Sequence, residues 1–247
     1  METKKDLHVS GDTQYATRNT QHVLRFTFQS EASRWDVSHL TGSYLLVFGL
    51  LLTGCGGAFL PWIWRDSVAL QLTAPGLAEF VKFLPEVRYG QVQLQRLFFL
   101  LPLFLAMLIL PLVVENKKLS LPRWLRWALR LAVIPLALAA LSPVWTPAIL
   151  MAPEFRLQTL LALIAMGLAV IAPVPHRLPL PGLIILLLGS GVAAIILPIW
   201  QFGLIQASIM EAYHEPVSLG WGWWLTVAGL VLSIASGIRL AFFGVKV

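Results

Sequence analysis

The chain has 247 residues, of which 57% are hydrophobic and only 12% charged, with a formal net charge of +6 and a mean hydropathy of +0.76. Charged residues make up about a quarter of an ordinary soluble domain, so this composition excludes a large soluble domain and places the protein in a bilayer. The basic residues flank apolar segments instead of lining one amphipathic face, which argues against a nucleic-acid partner.

Crossing a hydrocarbon core of about 30 Å takes roughly 20 apolar residues, and six stretches qualify. The expectation is an all-α integral membrane protein with six transmembrane helices. They fall at about 42–64, 97–114, 127–145, 157–174, 182–201 and 222–240, behind a polar tail over 1–41. Within the tail, Val23 to Phe28 alternates so that Phe26 and Phe28 share one side of a candidate strand that would need a partner's sheet.

The first helix carries Gly49, Gly54, Gly56 and Gly57, small residues that leave room for a neighbouring helix. Its only cysteine, Cys55, cannot form an internal disulfide. Leu52-Thr53-Gly54-Cys55 resembles a lipoprotein cleavage site. However, the apolar run begins near residue 43, behind a long polar tail, and continues to Trp64, so an intact helix is expected. A connector follows in which Leu77, Phe80, Val81 and Leu84 recur at helical spacing between Pro75 and Pro85. This predicts a short interfacial helix between helices 1 and 2.

Helix 2 returns to Glu115-Asn116-Lys117-Lys118, and Arg123, Arg126 and Arg130 then interleave with Trp124 and Trp127, a pattern suited to anionic lipid. Helices 3 and 4 are joined by a tight loop containing Glu154 and Arg156. A proline-rich turn over 173–181 leads to helix 5. The end of the first helix, small residues followed by Pro61, Trp62 and Trp64, recurs twice. The echoes are Ala139-Ala140 before Pro143 and Trp145, and Ala193-Ala194 before Pro198 and Trp200. This recurrence suggests three helical hairpins packed around one another.

With both termini on one side, all but five of the 18 basic residues fall on that side, so both termini are expected in the cytoplasm of a bacterial cell. Trp62, Trp64, Trp145, Trp200 and Trp224 then mark the outer face.

Ionisable residues inside a membrane usually serve function, and here every Asp, Glu and His sits in a tail, a loop or a helix end. Glu211, His214 and Glu215 could share one helical face as metal ligands, but Pro216 limits that helix and no second cluster completes the site. Cys55 and the helix serines have no neighbouring base in sequence. No catalytic residue, metal or cofactor is therefore expected. The sequence is best explained by a non-catalytic multi-pass subunit that stabilises a larger electron-transfer, photosynthetic or transport complex. The alternatives are a transporter or channel for a lipid or hydrophobic solute and, third, an intramembrane enzyme. Membrane lipid and other membrane subunits are the expected partners, with contacts at Trp62, Trp64, Trp145, Trp200, Trp224, Gly54, Gly57, Phe26 and Phe28.

Overall fold

The computed structural model describes residues 40–64, 71–119, 121–171, 179–214 and 216–243. Phe26 and Phe28 lie outside them, as does most of the turn over 173–181. Among the described residues the protein is all-helical, with two isolated backbone bridges and no strand.

Four of the helices among the described residues are long and apolar enough to cross a membrane, which marks an integral membrane protein. They are α1 (Leu40–Ala58), the span entered through a tight 3-10 turn at Arg96–Leu100 that becomes α4 (Leu101–Val114), α8 (Leu180–Tyr213) and α9 (Trp221–Phe243). Shorter helices complete the bundle: α2 (Ala74–Phe80), α3 (Pro85–Arg88), α5 (Arg123–Ala139), α6 (Pro147–Leu150) and α7 (Arg156–Val170).

Two of the six expected spans come out short. The helix expected over 127–145 is α5, which begins at Arg123 but stops at Ala139, ahead of Ser142 and Pro143. The one expected over 157–174 is α7, which stops at Val170. At about 1.5 Å per residue they measure roughly 26 and 23 Å, less than a hydrocarbon core. The expected stop at Gln201 is also absent, because α8 runs through Pro198 to Tyr213 and reaches about 51 Å. The second echo of the small-residue, proline, tryptophan pattern therefore ends no helix.

The helix between the first two spans does form. Thr73 caps it by accepting a hydrogen bond from the Gly76 amide at 3.3 Å, and Pro75 fits its first turn. Its apolar side, Leu77 and Ala78, is buried with the following Val81, and the helix packs on the turn that precedes α4.

α4 is apolar on every side and occupies the centre, packed on α5, α7 and α8. α7 presents the small residues Ala162, Ala165 and Ala169 inward and exposes Leu160, Leu163 and Ile164. Consecutive hairpin partners touch: Gly54 and Gly57 of α1 meet Ala106 and Leu103 of α4, α5 packs on α7, and α8 on α9.

The closest fit joins the first span to the last. Gly42, Gly49 and Gly56 are spaced seven apart on α1. They face Leu240, then Gly229 with Ser233, then Gly222 with Thr226, so α1 and α9 run antiparallel. Buried hydroxyls within this seam find acceptors. Thr53 Oγ1 donates to Gly49 O at 2.9 Å with Thr226 O at 3.5 Å, and Thr226 Oγ1 donates to Gly222 O at 2.8 Å. Ser233 Oγ lies 2.8 Å from Gly229 O and 3.3 Å from Leu46 O.

Candidate functional site

The polar groups that the fold brings together lie at the end of the bundle where α1 finishes. There Ile63 bridges to both Leu72 and Leu219, the Gly220 amide donates to Trp62 O at 2.5 Å, and the Gly222 amide donates to Pro61 O at 3.0 Å. The extension of α8 beyond Pro198 belongs to the same cap. Gln201 is buried and accepts from the Gln95 amide at 3.1 Å, while Gln206 donates to Val217 O at 2.8 Å.

Beside this cap, three segments distant in sequence converge on one aromatic ring. Arg96 lies 4.4 Å and Lys82 4.5 Å from the centroid of Phe155. Arg96 pairs with Glu79 at 2.7 Å, Lys82 pairs with Glu79 at 2.6 Å, and both cations also reach Glu154. Two carboxylates and two cations cancel, so the cluster ties α2 to the start of the α4 span and to the α6–α7 connection without leaving a net charge. In the sequence only the Glu79 and Lys82 pair, three apart on one helix, was close enough to suggest a contact.

Next to the cluster opens a cleft of about 450 Å³, within the range of small-molecule sites. It is lined by Gly76 and Glu79, by Leu138, Leu141 and Trp145, and by Gln158 of α7. Gln158 is 2% exposed. Its amide nitrogen donates to Ala140 O at 2.5 Å, and its buried Oε1 has no hydrogen-bond partner among the described residues.

No protein-family model, curated protein or solved structure matches this chain. The chemistry of the site therefore has to be read from its own residues.

A second polar contact lies at the opposite end, where Glu115, at the close of α4, pairs with Arg130, two turns into α5. Both are buried, and the guanidinium also lies 5.0 Å from the Trp127 ring. From sequence Glu115 read as the end of helix 2 and Arg130 as part of a basic segment facing anionic lipid, with no contact between them. Their spacing of fifteen residues across a loop gave no periodic signal of the contact.

The tryptophans expected to form one outward contact surface divide. Trp62 is 1% exposed: its indole donates to Gly56 O at 3.2 Å and its ring meets Trp223 edge-on at 4.8 Å. Trp64, Trp145, Trp200 and Trp224 are exposed, and Trp64 stands against Trp221 at 6.5 Å. Gly54 and Gly57 are occupied by α4 and α5 within the chain: a Cβ on Gly54 would fall 2.7 Å from Leu136.

Among the described residues no group of three or more His, Cys, Asp or Glu side chains could hold a metal ion. α8 ends at Tyr213 and His214 adopts a left-handed conformation with φ of 54°, so the helical face expected to carry Glu211 and His214 stops short; Glu215 lies outside the described residues. Cys55 sits on the exposed side of α1. What the site offers is a neutral, partly apolar recess beside a locked ion-pair cluster, an arrangement suited to binding.

Proposed function

We propose that this chain is a non-catalytic multi-pass membrane subunit, and that it packs a partner's transmembrane helix along α8. The observation that carries this is a contrast between two glycine rows with the same spacing. On α1 the row at Gly42, Gly49 and Gly56 is filled by α9. On α8, Gly182, Gly189 and Gly203 also fall at multiples of seven residues, yet a Cβ at Gly189 or Gly203 would meet nothing within 4 Å. The row is flanked by exposed Ile185, Leu186, Ile196 and Ile199. Small residues let helices approach closely in lipid, where the hydrophobic effect drives no association.

In this proposal α5 and α7 also cross, as a short pair in locally thinned bilayer, giving six spans. Both termini lie in the cytoplasm of a bacterial cell, as the distribution of basic residues favours. Carriage of a hydrophobic solute is the alternative that the cleft favours. Gentle extraction at native expression followed by size analysis is the test. A particle larger than the lone chain that shrinks to it on Gly189→Leu supports the subunit role. Recovery of the unaltered chain only as a monomer overturns it.

A further inference from the structure

We propose that the turn between α4 and α5, together with the exposed face of α5, holds an anionic phospholipid whose phosphate meets Lys118 and Arg123 and whose chains lie along Trp124, Trp127 and Leu131. This goes beyond the subunit role and does not depend on it.

From Lys117 to Arg130 the chain carries five basic residues and no acidic one. The fold does not leave them equivalent. Arg130 is buried and spent on Glu115, and Arg126 Nε donates to Leu121 O at 2.9 Å. Lys118 and Arg123 are exposed, and neither forms an ion pair among the described residues. The turn that carries Lys118 is fixed from within. Asn116 Oδ1 accepts from the Lys118 amide at 3.1 Å, Asn116 O accepts from the Leu119 amide at 3.1 Å, and Leu119 and Leu121 are buried. Two uncompensated cations therefore stand five residues apart across an ordered turn, a setting that attracts an anionic head group.

The apolar surface beside them sets the class of anion. Arg123, Trp124, Trp127 and Leu131 fall on one side of α5, because residues three and four apart are neighbours on a helix, and all four are exposed. The Arg130 guanidinium lies 5.0 Å from the Trp127 ring and helps to hold it in place. The cationic end thus runs directly into an apolar stripe, in a chain with four helices of membrane-spanning length among the described residues. Free phosphate would use the cations and leave the stripe bare, whereas a phospholipid uses both. A choline head carries its own ammonium, which offsets the phosphate and is repelled by Lys118 and Arg123. The preferred head is therefore one without a cation of its own, such as phosphatidylglycerol.

The test uses the full-length protein in phosphatidylcholine nanodiscs doped with a trace of phosphatidylglycerol that carries a photoreactive diazirine in one chain. Phosphatidylcholine with the same chain is the comparison, and cross-links are mapped by mass spectrometry. Phosphatidylglycerol should label residues 124–131 at least about fivefold more than phosphatidylcholine does, since each cation near a membrane surface confers a factor of about five. Lys118→Gln and Arg123→Gln should each lower that preference about fivefold, and the double variant should remove it, all at unchanged elution volume. Arg88→Gln, at an exposed position on α3 at the other end of the bundle, should leave it unchanged. Raising the salt should narrow the preference, because exposed charges are screened. Equal labelling by the two lipids, or a preference that survives the double variant, overturns the proposal. Loss of labelling when inorganic phosphate replaces chloride at equal ionic strength assigns the cations to a soluble anion and overturns it as well.

Discussion

Gly49 and Gly229 touch backbone to backbone: a methyl group on either would fall 2.7 Å from the carbonyl oxygen of the other. Real side-chain carbons do not approach backbone that closely, so α1 and α9 would have to separate. Gly49→Ala should cost about 1–3 kcal/mol, lowering the melting temperature by about 2–4 °C for each kcal/mol. Gly189→Ala makes the control. Open space surrounds that position, and alanine stabilises a helix over glycine by about 0.5–1 kcal/mol. A melting curve of each variant in mild detergent checks both. Equal shifts would mean that the α1–α9 seam does not depend on its glycines.

The buried Glu115 and Arg130 pair should behave asymmetrically. Arg130→Met strands a buried carboxylate and should cost about 3–5 kcal/mol, whereas Glu115→Leu combined with Arg130→Met removes both charges and should recover most of that loss. A double-mutant cycle by thermal unfolding reads the difference. If the double variant loses as much as the Arg130→Met and Glu115→Leu single losses added together, the pair contributes no coupling.

Trp62 and Trp224 separate a packing tryptophan from a surface one. Trp62→Ala removes a fully buried ring, its edge contact with Trp223 and the donor to Gly56 O, and should cost about 3–5 kcal/mol. Trp224→Ala, at a position 63% exposed, should change stability of the purified chain by no more than about 0.5 kcal/mol. Thermal melts of the two variants side by side measure the contrast, which fails if Trp224→Ala proves the more damaging.

Phe155 should matter through its two cations. Phe155→Leu keeps an apolar side chain there but removes the ring face under Lys82 and Arg96, and should cost about 1–2 kcal/mol. The ion pairs around it are partly exposed, so each contributes at most about 1 kcal/mol, screened by salt. Melting Glu79→Gln at low and high ionic strength should show a deficit that narrows as salt rises. A deficit that does not change with salt would assign the loss to packing.

Class and most helix positions were legible because both follow from local pattern. Long apolar runs set the four spans found among the described residues, and Pro75 marked the start of α2. The ends were less legible. Pro198 interrupts α8's sequence as Pro143 interrupts the segment after α5, yet one helix continues and the other stops. The difference lies in tertiary support: buried Phe202, Ile205 and Ile209 hold the far side of α8 against the cap, whereas Val144 and Trp145 are exposed. The cleft had no sequence signature at all, since Gly76, Trp145 and Gln158 belong to three separate segments.

The sequence by itself determined that this is a membrane-embedded helical protein, because the cost of burying backbone in lipid leaves an apolar chain few other structures. Only the tertiary structure decided which small residues are spent within the chain and which remain open. Gly49 and Gly189 are equivalent in composition and setting, and a neighbouring helix in contact with the first but not the second is a property of the packed bundle. For the same reason Trp62 turned inward while Trp224 stayed exposed.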